Sequence, residues 1–201
     1  MIDDRIRPGE PGDLDGAADV LAAAFADYAW TRHTVAADDH VRRVRDLQRL
    51  FVGRIGLPHG RVWVADGLEG VVAAAVWTTP ESSGAEAAFA ELAESMPALA
   101  GDRTAAAISA EQALAPHRPA GPVWFLATVE VHPALQGKGL GRAIVEPGLM
   151  AADAAGVPAF LETSEPANVP FYRKLGFEVT AEVELPDGGP RTWAFRREPR
   201  R

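Results

Sequence analysis

Apolar side chains recur with helical spacing in three stretches of the chain. After a short alternating segment and a Pro-Gly break, the apolar positions of residues 13–28 repeat every three to four residues, which predicts a helix capped by Asp13. Residues 38–56 have the same period and predict a second helix that ends near two glycines. The alanine-rich stretch at about 81–119 predicts a helical insert in two pieces, divided at Pro97.

Runs of β-branched and aromatic residues predict the strands. Residues 61–78 contain two such runs on either side of Asp66 and Gly67, which is the pattern of a hairpin. Residues 123–131 form a continuous apolar run, which indicates a buried central strand. Further strands are expected at 157–163, 177–185 and 191–198, the last two joined by a Pro-Asp-Gly-Gly turn.

Two more helices complete the order of elements. One follows the central strand and runs to about Ala155, with a kink expected at Pro147, and the other ends at Gly176. The resulting order is β, α, α, β, β, helical insert, β, α, β, α, β, β. It predicts the α/β (α+β) class, with a single mixed central sheet flanked by helices. A chain of this length favours one domain over residues 1–201.

Composition narrows the classes of function. The absence of cysteine excludes disulfides, thiolate metal sites and cysteine nucleophiles, and the five histidines lack metal-ligand spacing, so we expect no metal. No long apolar run and no signal-peptide pattern occur, so we expect a cytoplasmic protein without a membrane partner. The net charge of -8 argues against nucleic acid. It would suit a cationic substrate such as an amine, or simply maintain solubility.

Three glycines at 137, 139 and 141 separate the central strand from the helix that follows. The first turn of a helix has unpaired N–H groups and a partial positive charge, and glycines allow an anion to approach closely, so this loop is a candidate diphosphate site. A tight strand-to-helix turn is the alternative. Lys138 is followed by Gly139, which excludes a Walker loop. The G-x-G-x-G spacing and the late position argue against a dinucleotide fingerprint.

The loop and one later segment resemble a known superfamily. The pattern Gln-x-x-Gly-x-Gly, formed by Gln136, Gly139 and Gly141 after the segment "VEVHP", resembles the acetyl-coenzyme A loop of the GNAT N-acetyltransferases. The segment "FYRKLGF" at 171–177 resembles their second signature. The resemblance implies the GNAT fold and a cytoplasmic enzyme that transfers acetyl from acetyl-CoA, its cosubstrate, to an amine.

The similarity is closer to one group of these enzymes, the puromycin N-acetyltransferases of actinomycetes. It covers nearly all 201 residues, including the insert and the segments "FADYAWTRHTV", "LAPHRP", "WFLATVEVHPALQGKGLG", "GVPAFLETSEPANVPFYRKLGF" and "GPRTWAFRR". It implies that the acceptor is a puromycin-like small molecule, that the acetylated group is its α-amine, and that the biological result is antibiotic resistance.

The resemblance also implies which residues bind the coenzyme. The N–H groups of the strand from Val129 to Val131 would bind the pantetheine and thioester, and the loop from Gly137 to Arg142 would bind the pyrophosphate. The full set is Val129, Glu130, Val131, Gln136, Gly137, Lys138, Gly139, Leu140, Gly141, Arg142 and Asn168. Asn168 precedes Tyr172 by four residues, whereas many GNAT enzymes have seven.

Acetyl transfer also needs an acid and a neutral amine. Tyr172 follows Phe171 in the second signature and is the candidate general acid, because a phenol with a pKa of about 10 is protonated at neutral pH. A tyrosine in the core is the alternative. For the base we rank Glu162 first and Glu130 second. A third option is a chain of waters, since an α-amine with a pKa of about 8 is partly neutral already.

The acceptor side is less defined in the sequence. The candidates are Asp27 for a cation and Tyr28, Trp30, Trp77 and Trp124 for stacking, although Trp77 and Trp124 are equally compatible with the core. We expect the insert to cover the pocket, and a monomer or homodimer. Two other functions remain open: a GNAT enzyme for another small amine or aminoacyl compound, and a non-catalytic acyl-CoA-binding or self-association module. Tyr172 beside an intact loop argues against the module.

Overall fold

The computed structural model describes residues 4–81 and 85–200. Residues 82–84 of the predicted insert, and residues 1–3 and 201 of the predicted domain, lie outside the described residues.

Seven strands form one sheet in the order β1-β2-β3-β4-β5-β7-β6. Neighbouring strands are antiparallel except β4 and β5, which are parallel. This mixed sheet with helices on both faces confirms the predicted fold class. The strands are β1 (Ile6–Pro8), β2 (Arg61–Gly67), β3 (Gly70–Thr78), β4 (Trp124–Val131), β5 (Ala159–Thr163), β6 (Glu178–Glu184) and β7 (Arg191–Arg197).

Eight α-helices connect these strands in the described residues, and a π-helical segment, Val52–Gly56, joins the third to the fourth. The α-helices are α1 (Leu14–Phe25), α2 (Ala29–Thr34), α3 (His40–Phe51), α4 (Leu57–His59), α5 (Ala85–Ala100), α6 (Thr104–Leu114), α7 (Leu140–Ala155) and α8 (Asn168–Lys174).

Each face of the sheet packs against its own helices. On one face, α1 and the π-helical segment cover the valines and alanines of β2 and β3. On the other face, α7 and α8 cover the large aromatic core of β3, β4, β5 and β7. At Gly148 helix α7 lies close to the sheet, because an added Cβ atom would be 2.3 Å from Cε2 of Trp77. A glycine is therefore required at this position of the helix.

The structure corrects three expectations. Helix α5 runs through Pro97, and the break in the insert comes at Gly101, whose φ of 60° lies in the left-handed region. Asp13 precedes α1, but its carboxylate accepts hydrogen bonds from Arg7 and from the N–H of Glu10, so it does not cap that helix. Helix α2 has no counterpart in the predicted order because six residues are too few to show a period.

Strands β4 and β5 pair over only three residues each. The pairs are Trp124 with Ala159, Phe125 with Phe160, and Leu126 with Leu161. Beyond Leu126, β4 continues beside β3 while β5 continues beside β7. Ala127 has no partner on β3 because the register shifts there, which is a β-bulge in the central strand. We call the gap that opens between residues 127–131 and residues 162–163 the fork.

Candidate active site

The backbone of β4 presents polar groups to the fork. The N–H of His132 bonds to the carbonyl of Val72, so in the antiparallel alternation the N–H and C=O of Val131 point away from β3. By the same alternation, the N–H and C=O of Val129 also point away from β3 and toward the fork. The fork therefore exposes main-chain groups that an extended ligand could pair with, which is how an added strand is recognised.

Two side chains bond to these groups. The carboxylate of Glu130 accepts hydrogen bonds from the N–H of Val131 at 2.9 Å and from Nε2 of Gln136 at 3.0 Å. Nε2 of Gln136 also donates to the carbonyl of Val131 at 3.2 Å. Burial raises the pKa of Glu130, and the two hydrogen bonds oppose that rise. In this state the predicted coenzyme-binding N–H of Val131 is bonded to the chain's own carboxylate.

The glycine loop follows directly. Gly137 and Gly139 have φ values of 73° and 87°, and a Cβ atom at either position would meet no protein atom within 4 Å. Gly139 is the N-cap of α7, so the N–H groups of Leu140, Gly141 and Arg142 lie in the unpaired first turn. That turn has no acidic residue, and Lys138 donates to the carbonyl of Ala134 at 3.2 Å. The loop thus combines open space, free N–H groups and positive charge.

Tyr172 lies on α8 and is buried in the core beside the fork. Its ring contacts Phe171, Phe177 and Phe195 at centroid distances of 5.1, 6.0 and 5.7 Å. Within residues 4–81 and 85–200 its hydroxyl has no hydrogen-bond partner. Burial raises the pKa of Tyr172, and Tyr28 and Glu130 are near enough to raise it further. The phenol is therefore held in its protonated form.

Glu162 is the first residue of β5 beyond the pairs with β4. Its side chain is 11% exposed and forms a two-pronged ion pair with Arg118, from Nε to Oε1 at 2.9 Å and from Nη2 to Oε2 at 2.8 Å. Arg118 also bonds to Glu111 of α6 at 2.8 Å. Burial raises the pKa of Glu162, while the Arg118 guanidinium opposes that rise. The predicted base is thus buried at the fork and tied to the end of the insert.

Tyr28 reaches the same end of β5. Its hydroxyl bonds to Oγ1 of Thr163 at 3.0 Å and to the N–H of Ser164. Asn168 donates to the same Oγ1 of Thr163 at 3.2 Å. Tyr28 and Asn168 were predicted to bind acceptor and coenzyme respectively, and the structure brings both to one threonine beside Glu162.

The other acceptor candidates are elsewhere. Asp27 is exposed and ion-paired with Arg32. Trp30 packs against a cluster formed by Ala110 and Leu114 of α6 and by Leu185, which follows β6. Trp124 and Trp77 are buried at 4% and 0% exposure, with ring centroids 6.1 Å apart. Both rings are buried, which agrees with the core interpretation of these two tryptophans.

The chain was compared with known proteins. The family model for the acetyltransferase (GNAT) family matches residues 24–177, which is more than half of the chain. The chain belongs to the GNAT acetyltransferase family. It is therefore an acyltransferase of the N-acetyltransferase type, as the sequence predicted. The family model describes acetyltransferases in general and does not distinguish the puromycin-modifying group.

Individual relatives agree with this GNAT assignment. An uncharacterised N-acetyltransferase of Schizosaccharomyces pombe is 41% identical over 62 residues, which is 31% of this chain and 25% of that protein. The chain thus matches about a quarter of the length of this curated relative. A Corynebacterium glutamicum structure described as histone acetyltransferase HPA2 and related acetyltransferase has a TM-score of 0.75 at 23% identity, over 98% of this chain and 96% of that one.

A third relative bears on the coenzyme. The protein yncA of Salmonella typhimurium, solved with its cofactor acetyl-CoA, has a TM-score of 0.54 at 18% identity, over 98% of this chain and 94% of that one. At these identities the two solved structures show the fold alone, which confirms the GNAT fold. GNAT enzymes use acetyl-CoA, and the fork, the free first turn of α7 and the open space at Gly137 and Gly139 fit such a group.

Two absences apply to the part of the chain that the structure describes. No group of three or more His, Asp or Glu side chains there is arranged to hold a metal ion. None of the helices there is long and apolar enough to cross a membrane.

Sequence reasoning missed Arg118 and Thr163. Arg118 lies in the Pro-rich end of the predicted insert, and a single arginine there has no sequence signal for a partner 44 positions away. Thr163 lies beside Glu162 in the quoted segment "FLETS", where a signal existed, because a small polar residue at the end of a buried strand is unusual. The hydrogen bond between Glu130 and Gln136 was also not predicted, because it depends on how the chain folds back between these two residues.

Proposed function

We propose that this GNAT protein transfers the acetyl group of acetyl-CoA to the primary amine of a small molecule, and that the acceptor is the α-amine of puromycin. The proposal treats residues 1–201 as one catalytic domain in the cytoplasm, acting as a monomer or homodimer. It is carried by one observation: the buried phenol of Tyr172 and the buried carboxylate of Glu162 lie beside the fork between β4 and β5.

The proposed coenzyme site runs along β4 into α7. The N–H groups of Val129 and Val131 pair with the pantetheine arm, after the Glu130 carboxylate has released Val131. The first turn of α7, from Leu140 to Arg142, receives the pyrophosphate. The side chains of Lys138 and Arg142 add positive charge to an acidic protein. Gln136 lies beside the β4 side of the fork, and Asn168 lies beside its β5 side.

The proposed chemistry needs two proton transfers. The amine nitrogen forms a bond to the acetyl carbonyl carbon, and the carbon–sulfur bond breaks. Glu162 takes the proton that the amine loses, and Tyr172 donates its Oη proton to the leaving sulfur. Acetyl-CoA supplies the acetyl group as an activated thioester. Glu130 or a chain of waters is the alternative route for the amine proton.

Three features support a puromycin-like acceptor. The resemblance to puromycin N-acetyltransferases extends into the insert and the segment "FADYAWTRHTV", which are distant from the coenzyme loop. Tyr28 from that segment and Arg118 from the end of the insert both reach the end of β5 beside the fork. The net charge of -8 favours the approach of a cationic amine.

The test is a thiol-release assay with acetyl-CoA and a panel of amines that includes puromycin, aminoacyl compounds and polyamines. We expect N-acetylpuromycin by mass spectrometry, and resistance in cells that express the protein. Glu162→Gln should lower kcat by roughly 100-fold, the scale of general base catalysis. If puromycin is not acetylated while another amine is consumed, the acceptor assignment is wrong and the acetyltransferase assignment stands. No thiol release with any amine would contradict both.

A further inference from the structure

Arg118 connects the insert to the fork. It lies between α6 and β4, immediately after the 3-10 turn Ala115–His117, and its N–H donates to the carbonyl of Ala115 at 3.2 Å. Its guanidinium bonds to Glu162 through two hydrogen bonds and to Glu111 through two more, and lies 5.8 Å from the ring centroid of Phe125. One side chain thus links α6, β4 and β5 at the place where the fork begins.

We propose that Arg118 is a positioning residue that holds Glu162 in its reactive orientation and charged form. The placement of the insert and the ability of Glu162 to accept a proton then depend on the same ion pair. The proposal rests on the assignment of Glu162 as the base in the proposed function. It adds a residue outside the family signatures, in a segment that belongs to the insert.

The geometry fixes the carboxylate. Two parallel hydrogen bonds from a planar guanidinium define both the position and the plane of the Glu162 carboxylate. Arg118 is itself bonded to Glu111 on the other side and lies against the Phe125 ring, so these contacts restrict its own movement. Each Glu162 oxygen uses one lone pair for Arg118 and keeps another, which leaves room for the proton of an amine.

The electrostatics act in the same direction. The charged and titratable groups that face Glu162 are Arg118 and His117 at the end of the insert and Glu111 on α6. Burial, the largest influence, raises the pKa of Glu162, and Glu111 raises it further. Arg118 is the main opposing group, and His117 adds a smaller effect. Without Arg118 the carboxylate would be protonated over a wider pH range and would be unable to accept a proton.

The first experiment measures Glu162 directly, without acetyl-CoA or an acceptor. The carboxyl carbon of Glu162 is titrated by carbon-13 NMR in the full-length wild type and in Arg118→Met. We expect the pKa of Glu162 to rise by about 1–3 units in Arg118→Met, the usual effect of an adjacent arginine on a carboxyl group. Arg118→Lys keeps a positive charge, so its Glu162 pKa should lie between those of the wild type and Arg118→Met. Glu111→Gln removes a negative neighbour and should move the pKa in the opposite direction.

Arg43→Met is the matched control for the insert. Arg43 of α3 donates to the carbonyls of Ala98 and Leu99, so it also anchors the insert, but it does not contact Glu162. If Arg118 acts only by holding the insert in place, both methionine variants should affect Glu162 alike. If the proposal is correct, only Arg118→Met moves its pKa. An unchanged Glu162 pKa in folded Arg118→Met overturns the proposal.

The second experiment follows the pH dependence of kcat. In Arg118→Met the acidic limb of the kcat profile should move upward by the same number of pH units as the Glu162 pKa. Arg118→Lys should restore part of that shift. If the pKa moves but the limb does not, Glu162 is not the base and the positioning role falls with it. An active Glu162→Gln enzyme would separately contradict the base assignment while leaving acetyl transfer intact.

Discussion

At the scale of a residue, Tyr172 places one polar atom in an otherwise apolar cluster. Its ring fills the space among Phe171, Phe177 and Phe195, and a phenylalanine would fill the same space. The hydroxyl is the part that this packing does not require. Burial raises the pKa of this hydroxyl, which keeps it protonated at neutral pH.

Tyr172→Phe should therefore lower kcat by roughly 100-fold or more, the scale of general acid catalysis, while the affinity for acetyl-CoA changes little. Steady-state kinetics and calorimetry measure the two quantities, and thermal unfolding should show a Tm near that of the wild type. A variant with nearly normal kcat would mean that water protonates the thiolate.

Glu130 poses a different question, because its carboxylate bonds to the N–H of Val131, a group that we propose pairs with the coenzyme. Glu130→Ala removes that competitor, so we expect acetyl-CoA to bind about fivefold more tightly, equivalent to about 1 kcal/mol for one hydrogen bond. Glu130→Gln can still accept from Val131 and should bind like the wild type. If both variants instead lose about 100-fold in kcat, Glu130 is the base.

At the scale of elements, the start of α7 combines a left-handed backbone with an open surface. Gly139 has a φ of 87°, and a Cβ atom there would have no protein atom within 4 Å. An added Cβ atom at Gly139 therefore does not clash within the protein. We expect a loss of coenzyme affinity on substitution to come from the backbone change or from contact with the coenzyme itself.

Gly139→Val should weaken acetyl-CoA binding by tenfold or more in calorimetry, about 1.4 kcal/mol. The control is Gly188→Val in the turn between β6 and β7, where φ is 75° and a Cβ atom is equally free. Both variants pay the strain of a left-handed valine, of order 1–2 kcal/mol. Only Gly139→Val should lose affinity, and equal affinities in folded proteins would refute the assignment of the loop.

The packing of α7 on the sheet gives a second prediction at this scale. Gly148→Ala places a methyl group within 2.3 Å of the Trp77 ring, so the helix or the ring must move. We expect a loss of about 1–3 kcal/mol in urea unfolding, the cost of overpacking a core. Gly121→Ala, where a Cβ atom would have no neighbour within 4 Å, is the matched control and should change stability little.

At the scale of the whole molecule, the described residues are joined by ion pairs between distant segments. Arg197 at the end of β7 is 4% exposed and bonds to both oxygens of Asp153 on α7, at 2.7 and 2.8 Å. Arg197 lowers the pKa of Asp153. A carboxyl group with a lowered pKa in the folded state stabilises the fold above its unfolded pKa, and that contribution is lost as the pH falls through the folded value.

Asp153→Asn should therefore be less stable than the wild type at pH 7, by roughly 3 kcal/mol if the buried Arg197 loses its charge partner. The difference should shrink as the pH is lowered below about 4, the ordinary pKa of an aspartate. Urea unfolding at pH 7 and pH 3 measures both values. Asp46→Asn, which removes an exposed pair with Arg42, is the control and should cost under about 1 kcal/mol at pH 7. A stability difference between Asp153→Asn and the wild type that is the same at pH 7 and pH 3 would contradict this role of the ion pair between Asp153 and Arg197.

The fold was largely predictable because local patterns carry it. Three patterns each lie within a short window of the sequence: the helical periods of α1 and α3, the hairpin of β2 and β3, and the apolar run of β4. Within such a window, the spacing of apolar residues alone indicates which face of the element is buried. The wrong predictions are those in which tertiary contacts overrode a local sequence rule. Pro97 did not end α5, because the helix packs against α3 and ends instead where Gly101 adopts a left-handed conformation.

The sequence by itself determined the glycine loop, the second signature with Tyr172, and the family to which they belong. Each is a set of neighbouring residues whose chemistry depends on short-range spacing. The tertiary structure decided what those residues contact. The pairing of Glu162 with Arg118, the bonding of Glu130 to Val131 and Gln136, and the meeting of Tyr28 with Thr163 join segments that no spacing rule connects. The reason is physical: β4 and β5 separate after three pairs, and only the folded sheet shows which side chains line the fork.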